Sequence, residues 1–269
     1  MRVAVLGDVH ANFRALSAAL ATVDAAGYDR LIFLGDLLTY GADVEETVDL
    51  VSKRLLDGRA VLLRGNHDAI YRDLLDGGSS YANELPNWIR ESICWTRERL
   101  PTSSWRELPF EDESTLEQVL FSHANPFGPE DWRYLNSKSD HSRAAAELHR
   151  RGFVVGVFGH THRVKWFQLA GEDGAFFAHS HGVLHDGAVH VLNAGAIGQP
   201  RDAIERKPCV LWLDLGDGFE YGAPRQFSRQ TFDYDLADHL RRVEHSGLSS
   251  DAVARIVRFF SESTAGFGQ

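Results

Sequence analysis

Short apolar runs alternate with longer amphipathic segments in the first quarter of the chain. Residues 2–6, 31–34 and 60–63 are short runs of apolar side chains, a pattern that predicts buried strands. Residues 13–26 and 44–56 have apolar side chains at helical spacing, which predicts amphipathic helices. Strands that alternate with helices indicate βαβ units, and we therefore expect a largely parallel sheet.

The remainder of the chain predicts further strands and a helical end. Strand patterns cover residues 115–121 and 153–158, with a helix predicted over 141–151 between them. Residues 164–221 contain successive strand patterns with glycine-rich turns, which predicts a second, mixed sheet. Residues 234–261 predict two helices separated by a Ser-Gly pair.

The predicted elements suggest one large domain with an appendage. We assign residues 1–232 to the main domain, with a helical insertion over about residues 70–100. Residues 233–269 form a C-terminal helical extension that we expect to pack on the same domain. The insertion is rich in Trp and Arg, and it either fills space or forms the wall of a substrate cleft.

Three polar residues come directly after the three predicted parallel strands. Asp8, Asp36 and Asn66 each fall just past the carboxyl end of a strand in successive βαβ units. Ligands of such sheets bind outside the carboxyl ends of the strands. We therefore expect these three side chains to line one site.

Histidines accompany these residues in short motifs. Asp8 and His10 are two residues apart, and His160 and His162 repeat this spacing after a later strand, so each pair can share a metal ion. A single Asp-x-His is more often a turn carboxylate beside a surface histidine, but several such motifs in this order predict a site for two metal ions. Carboxylate, imidazole and carboxamide ligands suit Mn²⁺, Fe, Zn²⁺ or Co²⁺.

The composition excludes several classes of protein. No apolar run approaches the roughly 20 residues that a bilayer span needs, and the N-terminal apolar run is too short for a signal peptide. The two cysteines, Cys94 and Cys209, are far apart in the sequence and fit a reducing compartment. We therefore expect a cytoplasmic protein with no membrane partner, and the sequence leaves its oligomeric state open.

The formal net charge of −10 bears on possible substrates. It disfavours binding to a long nucleic acid, because such binding depends on Lys and Arg. A small anionic substrate stays compatible with it. Part of the negative charge belongs to predicted metal ligands, and two divalent cations would reverse the local field.

Taken together, the motifs resemble the signature of the calcineurin-like metallophosphoesterase superfamily. The matching residues lie in about the first 160 positions: Asp8-x-His10, Gly35-Asp36, Gly65-Asn66-His67-Asp68, Ser122-His123 and Gly159-His160-x-His162. Residues 193–202 resemble a segment of the small bacterial and archaeal phosphodiesterase branch, although Ala194 and Ala196 stand where that branch usually has Pro and Ser. Ala11 stands where the first family motif usually ends in Gly.

The resemblance implies a fold and a metal content. The fold would be α/β (α+β), a four-layer α/β/β/α sandwich of two mixed sheets flanked by helices. The cofactors would be two divalent metal ions: Mn²⁺, Fe²⁺ or Fe³⁺, Zn²⁺ or Co²⁺. One ion would be held by Asp8, His10 and His162, the other by Asn66, His123 and His160, with Asp36 bridging both.

The resemblance also implies a reaction. A hydroxide between the two ions would attack a phosphate ester, with a phosphodiester as the expected substrate. His67 would be the general acid at the leaving-group oxygen, and Asp68 would orient His67 through its other ring nitrogen.

Substrate contacts are predicted at two positions, each with a structural alternative. Asn12 resembles a phosphate-contacting position, but it also suits the N-cap of the helix that begins at Phe13. Arg64 stands where protein serine/threonine phosphatases bind phosphate, but it is equally a solvated charge at a strand end. Arg201 and Asp202 form either a structural ion pair or a substrate contact.

Three functions compete on this basis. A small-molecule phosphoester or nucleotide is the expected substrate of a phosphodiesterase. A phosphomonoesterase or phosphoprotein phosphatase is the alternative, and Arg64 favours it because a dianionic phosphate benefits from an extra cation. A non-enzymatic scaffold of this fold is disfavoured, because His67 and the full ligand set are present.

Overall fold

A computed structural model describes residues 1–78, 84–185, 187–202, 206–216 and 225–261. In these ranges the strands are β1 (Arg2–Leu6), β2 (Arg30–Phe33), β3 (Ala60–Leu63), β4 (Phe110–Glu111), β5 (Glu113–Leu116), β6 (Val119–Ser122), β7 (Val155–Phe158), β8 (Val164–Ala170), β9 (Asp173–Phe177), β10 (His181–Leu184), β11 (Val189–Ala194), β12 (Cys209–Asp214) and β13 (Arg225–Thr231). The helices are α1 (Phe13–Ala26), α2 (Val44–Leu55), α3 (Asn66–Leu75), α4 (Asn87–Arg99), α5 (Thr102–Glu107), α6 (Lys138–Arg150), α7 (Leu236–Glu244) and α8 (Ser250–Ser261).

The first sheet contains the predicted βαβ units. Its seven strands lie in the order β10-β13-β12-β1-β2-β3-β4. Strands β1 to β4 are parallel, whereas β12, β13 and β10 pair in antiparallel fashion on the other side of β1. The carboxyl ends of β1, β2 and β3 therefore meet at one edge, as the sequence predicts.

The second sheet has six strands in the order β5-β6-β7-β11-β8-β9. Strands β6, β7 and β11 are parallel, and β5, β8 and β9 are added in antiparallel fashion. Both sheets are therefore mixed. The carboxyl ends of β6 and β7 lie side by side, and the loops that follow them carry His123, His160 and His162.

Three apolar cores separate four layers. Ala4 and Leu6 of β1 point into a core with α1 and α2, whereas Val3 and Val5 point the other way, towards the second sheet. This alternation is what a strand covered on both faces requires. On the far side of the second sheet, Leu120 of β6 packs with α6. The arrangement confirms the predicted α/β/β/α sandwich of two mixed sheets flanked by helices.

The two C-terminal helices pack on the rest of the chain beside α1 and α4. Arg14 of α1 forms an ion pair with Asp238 of α7 at 2.5 Å, and the Trp95 indole of α4 donates to the Ser246 carbonyl at 2.8 Å. Ile256 of α8 belongs to a small apolar cluster around these helices. The helices of residues 234–261 are thus present, while the domain boundary at residue 232 stays a prediction.

The strands of residues 164–221 do not form one sheet as predicted. β8, β9 and β11 lie in the second sheet, whereas β10 and β12 lie in the first. A strand pattern in the sequence does not specify which sheet the strand joins.

One further strand prediction is wrong in detail. Residues 115–121 form the end of β5 and most of β6, not a single strand. Glu117 has a left-handed φ of 52° and lies in the tight turn between them, and Leu116 pairs with Val119. A hydrophobic pattern cannot distinguish a continuous strand from two short ones joined by such a turn.

None of the helices in the described ranges has the length and apolar character that a membrane span requires.

Candidate metal centre

Backbone hydrogen bonds hold the loops after β1 and β2 side by side. The Asp8 N–H donates to the Gly35 carbonyl at 3.1 Å, and the His10 N–H donates to the Asp36 carbonyl at 2.9 Å. The loop after β7 joins them, because the His160 N–H donates to the Asp8 carboxylate at 3.1 Å. Loops from both sheets therefore meet at one point, and their side chains converge there.

Many of the predicted ligands have a strained backbone. Left-handed φ angles between 48° and 63° occur at Asp8, His10, Ala11, Asp36, His160 and His162. This conformation costs non-glycine residues roughly 1–2 kcal/mol each, and such strain clusters at functional sites. Ala11 shares the conformation, which explains why the family usually has glycine there.

Glycine is required where the loops approach most closely. A Cβ atom on Gly65 would lie 2.2 Å from Asp36 Oδ1, and one on Gly35 would lie 2.4 Å from the Gly65 nitrogen. Any larger residue at these positions would displace Asp36. The glycines of the second and third motifs therefore place this carboxylate.

Two groups of potential metal ligands share one carboxylate. Within each group the ligand atoms lie within 4.8 Å of one another; the groups are Asp8, His10, Asp36 and His162, and Asp36, His123 and His160. Asp36 Oδ2 lies 3.9 Å from His10 Nε2 and 3.5 Å from His123 Nε2. Asn66 Oδ1 joins the second group, 3.1 Å from His123 Nε2. The structure thus brings all seven predicted ligands together, with Asp36 between the two groups.

The hydrogen bonds of the first group leave two nitrogen lone pairs facing each other. The His10 Nδ1–H donates to the Leu38 carbonyl at 3.1 Å, and the His162 Nδ1–H donates to the Gln199 carbonyl at 2.8 Å. In neutral rings both Nε2 atoms are then unprotonated, yet they lie 3.1 Å apart. Two facing lone pairs repel, so this arrangement fits a cation bound between them.

In the second group, too, unprotonated ring nitrogens are left to face other potential ligands. The His123 Nδ1–H donates to the Leu34 carbonyl at 2.8 Å, so its Nε2 lone pair faces the Asn66 carboxamide oxygen. The His160 Nε2–H donates to the Trp132 carbonyl at 2.9 Å, which leaves the other ring nitrogen, Nδ1, as the ligand. Each imidazole is therefore oriented by a backbone carbonyl, a common arrangement around metal ions.

The pKa values of the histidines agree with a role as neutral ligands. Burial lowers the pKa of His10 and of His160 to about 3, and it lowers the pKa of His162 well below its usual value. His123 differs, because the adjacent Asp36 carboxylate outweighs the effect of burial and raises the pKa of this imidazole to about 9. A proton on His123 then occupies the position that a cation takes in the loaded site.

The carboxylates respond to the same surroundings. Burial raises the pKa of Asp8 to about 7. Burial also acts to raise the pKa of Asp36, but the neighbouring His123 outweighs it and holds that pKa well below its usual value. Asp8 and Asp36 are 0% and 2% exposed. Two carboxylates this deeply buried require nearby cations, and the donor set fits two divalent metal ions.

His67 lies beside the metal ligands without joining either group. Its backbone N–H donates to Asp36 Oδ1 at 2.8 Å, and its ring lies 5.2 Å from that of His10. Its Nε2 is 3.4 Å from the Tyr40 hydroxyl, and its Nδ1 is buried with no hydrogen-bond partner among the described residues. Burial lowers the pKa of His67. His67 therefore lies next to both ligand groups, and its action on substrate stays a prediction.

Asp68 does not orient the His67 ring as predicted. Its carboxylate accepts from the backbone N–H of Asp36 at 2.7 Å, of Gly65 at 2.9 Å and of Leu37 at 3.0 Å. Asp68 is the third residue of α3, and a carboxylate there turns back towards the helix N-terminus. Asp68 therefore supports the loop that carries Asp36, and it acts on the metal ligand rather than on the histidine.

Asn12 is the N-cap of α1. Its Oδ1 accepts from the Ala15 N–H at 3.1 Å, and its Nδ2 donates to the Gly198 carbonyl at 3.0 Å and to the Tyr234 hydroxyl at 3.2 Å. The residue is 0% exposed. The N-cap alternative is confirmed, and the whole amide is used inside the protein, so the predicted phosphate contact is not supported.

Arg64 is neutralised by carboxylates. Its guanidinium donates to Asp112 at 2.5 Å and lies 3.6 Å from Glu130. It borders a cavity of about 340 Å³ that Trp105 and Phe110 also line. The alternative of a charge at a strand end therefore describes Arg64 better than the predicted phosphate contact.

Arg201 does not occupy the position that an ion pair with Asp202 would require. The expected ion pair with Asp202 does not form, because Asp202 accepts from the Val164 N–H at 2.9 Å and lies 3.7 Å from Arg229. Arg201 lies towards the metal centre instead. Burial lowers the pKa of His162, and the positive charge of Arg201 lowers it further. The only sequence signal for this cation is its place in the family-like block of residues 193–202.

Aromatic side chains surround the ligands on two sides. On one side the Tyr40 ring lies 4.9 Å from that of His10 and stacks on Trp88 at 5.6 Å, and Phe259 of α8 lies 6.0 Å from Trp88. On the other side Tyr134 stacks on the His160 ring at 4.0 Å and is 49% exposed. The sequence contains no signal for this aromatic rim, because its members lie far apart along the chain.

The fold and the site define a metallophosphoesterase, and comparisons with known proteins agree. The family model of the calcineurin-like phosphoesterases matches residues 1–164, and the chain belongs to this family. The uncharacterized protein MJ0912 of Methanocaldococcus jannaschii is 30% identical over 207 residues, which cover 76% of this chain and 79% of that protein.

Two solved structures are similar in fold. A metallophosphoesterase from Sphaerobacter thermophilus superimposes with a TM-score of 0.71 at 24% identity and covers 96% of this chain and 100% of its own. The hypothetical protein PH1004 from Pyrococcus horikoshii OT3 gives a TM-score of 0.70 at 17% identity, and the superposition covers 95% of this chain and 97% of that protein. The likeness in fold therefore covers more of the chain than the family model does.

Proposed function

We propose that this protein hydrolyses a phosphodiester of a small molecule, with His67 as the general acid. The observation that carries the proposal is the pair of buried ligand groups that share Asp36, with His67 next to them but outside both. When bound, two divalent cations would attract the phosphoryl oxygens and make a water molecule a stronger nucleophile.

The side chains of the protein supply the rest of the chemistry. The backbone N–H of His67 donates to Asp36 Oδ1 at 2.8 Å, so the backbone that carries the imidazole is held beside the shared carboxylate. The Tyr40 hydroxyl is the only described polar group within hydrogen-bond distance of the ring nitrogens. The ring is therefore available to donate a proton to the oxygen that leaves phosphorus, a step that typically contributes about 10²–10⁴-fold.

A diester fits the surroundings of the ligands better than a monoester. A diester carries two organic groups on phosphorus, and the aromatic rim offers a surface on each side: Tyr40 and Trp88 beside His10, and Tyr134 beside His160. Arg64, the cation that the sequence analysis offers in favour of a monoester, is paired with Asp112. The preference for a diester therefore rests on the aromatic rim.

A small substrate is favoured over a phosphoprotein. Helix α4 places Trp88 against Tyr40, and α8 places Phe259 against both rings, so two helices stand over one side of the ligands. A protein surface would have to displace these helices to bring a phosphorylated side chain to the metal ligands. The predicted insertion therefore acts as a cleft wall in this proposal.

The experiment is a substrate panel after metal stripping and reloading with Mn²⁺. It compares bis-p-nitrophenyl phosphate, p-nitrophenyl phosphate, nucleotides and a phosphopeptide, with an Asp36→Asn protein as the inactive control. We expect kcat/KM for the diester to exceed that for the monoester by at least about 10-fold, a difference of about 1.4 kcal/mol. A faster monoester or phosphopeptide would support the alternative function. If the protein hydrolysed none of these esters, the result would support the hypothesis of a non-enzymatic scaffold.

A further inference from the structure

Arg201 is held against the backbone of a predicted metal ligand. The backbone N–H of Arg201 donates to the His162 carbonyl at 2.9 Å. The His162 ring in turn donates to the Gln199 carbonyl at 2.8 Å, and the Gln199 side chain accepts from Arg201 Nη2 at 2.5 Å. This short loop therefore fixes the guanidinium on the His162 side of the metal centre.

Arg201 forms no direct ion pair with a carboxylate within the part of the chain that the structure describes, although its charge acts on Asp8 from a distance. Its side-chain hydrogen-bond partners there, the Gln199 carboxamide and the Tyr40 hydroxyl, are both neutral. Its buried Nε–H has no hydrogen-bond partner among the described residues. A partly buried guanidinium without a carboxylate is costly. Arg64 is the contrasting case, because Asp112 and Glu130 both neutralise it.

An arginine here also opposes metal binding unless an anion is present. Positive charges repel one another strongly in a site from which water is excluded, and this site is built for two divalent cations. A bound anion between the metal ions and the guanidinium removes that repulsion. The planar fork of arginine donors matches the oxygens of a phosphate.

Ring contacts connect Arg201 to the general acid. Its guanidinium carbon lies 4.7 Å from the centre of the Phe259 ring, which lies 6.3 Å from the Tyr40 ring. The Tyr40 hydroxyl is 3.4 Å from His67 Nε2, and the Tyr40 ring is 4.9 Å from that of His10. The guanidinium, the general acid and the first ligand group thus border the same space.

We propose that Arg201 is the phosphate-binding cation of this site and that it donates to a non-bridging oxygen of the substrate phosphoryl group. The inference rests on the proposed function, because it assigns a substrate contact within the same site. It applies to monoesters and diesters alike, since both have such oxygens. It also replaces the phosphate contact that the sequence predicts at Arg64.

The test measures the binding of inorganic phosphate to the Mn²⁺-loaded protein by calorimetry, alongside KM for bis-p-nitrophenyl phosphate. We expect Arg201→Ala to weaken phosphate binding and to raise KM by about 10- to 100-fold, the usual value of a charged hydrogen bond. Metal content should stay unchanged, and Arg201→Lys should recover part of the affinity. The control is Arg255→Ala, which removes an equal charge from the exposed face of α8.

A second variant separates substrate binding from the packing of α8. Phe259→Leu removes the ring beneath the guanidinium but keeps the guanidinium itself, and we expect it to change phosphate affinity by less than about 3-fold. Unchanged phosphate affinity in Arg201→Ala would overturn the inference, as would an equal loss in Phe259→Leu. Phosphate binding does not require turnover. An inactive wild-type protein would therefore contradict the proposed function without deciding the role of Arg201.

Discussion

The metal-ligand region and the aromatic rim around it are built in different ways. The ligands follow the ends of strands in both sheets, and backbone hydrogen bonds hold their loops together; Asp8, Asp36 and His123 are 0–2% exposed. The rim is formed by side chains of loops and helices, and Tyr134 is 49% exposed. The rim therefore depends on loops and helix packing, whereas the ligand set depends on the order of the strands.

The largest effect is expected from the shared carboxylate. Asp36→Asn removes the charge that both ligand groups use, so we expect loss of bound metal and a fall in kcat of about 10³-fold or more. Metal analysis and kinetics should be measured together, with Asp24→Asn as a control at a surface ion pair with Arg54. Normal metal content and rate in Asp36→Asn would contradict the sharing of this residue.

His67 tests whether chemistry is separate from metal binding. His67→Ala should leave metal content intact and reduce kcat by about 10²–10³-fold for an alkyl ester, because an alkoxide leaves slowly without a proton. The loss should be much smaller for a nitrophenyl ester. Equal losses on the two substrates, or a parallel loss of metal, would mean that His67 positions substrate or binds metal.

The Asp68→Asn variant tests whether this buried carboxylate supports the loop of Asp36 or orients His67. Asp68→Asn replaces an acceptor of three backbone N–H groups by a carboxamide whose own N–H₂ cannot accept. We expect metal affinity to fall by about 10- to 100-fold and unfolding free energy to fall by about 1–3 kcal/mol. Chelator competition and denaturant titration measure these changes. Asp68→Asn could instead keep normal metal affinity and, like His67→Ala, lose more activity on an alkyl ester than on a nitrophenyl ester. That result would support the role predicted from sequence, in which Asp68 orients His67.

The smallest effect is expected at the rim. Trp88→Ala removes the ring that stacks on Tyr40 at 5.6 Å. We expect KM for a nucleoside p-nitrophenyl diester to rise by about 3- to 10-fold, in line with the usual strength of aromatic stacking. KM for a methyl p-nitrophenyl diester should change by less than about 2-fold and serves as the control. Equal changes for both substrates would mean that Trp88 supports the fold and does not contact substrate.

The ligand region could be predicted from sequence because its geometry follows from strand order. Asp8, Asp36 and Asn66 follow three parallel strands that pair in succession, so their convergence needs no knowledge of side-chain packing. The roles of Asp68 and Arg64 could not be predicted in this way. Their partners are backbone groups and carboxylates that only the tertiary structure brings into contact.

The aromatic rim could not be predicted from sequence either, because its contacts also form only in the tertiary structure. Tyr40 meets Trp88 and Phe259 because α8 packs on α4, and a contact between residues so far apart in sequence leaves no periodic signal. The sequence suggests an ion pair between Arg201 and Asp202 because the two are adjacent, but adjacent residues of an extended segment point in opposite directions. Its neighbour therefore reaches Val164 while Arg201 reaches the metal centre.

The central claim is that two metal ions share Asp36, and a crystal structure of the Mn²⁺-loaded protein tests it most directly. Anomalous difference density should contain two peaks about 3.5–4 Å apart. The Asp36 carboxylate should be a ligand of both ions, with His10 and His162 on one ion and His123 and His160 on the other. A single peak, or two peaks with Asp36 bound to neither or only one, would contradict the account.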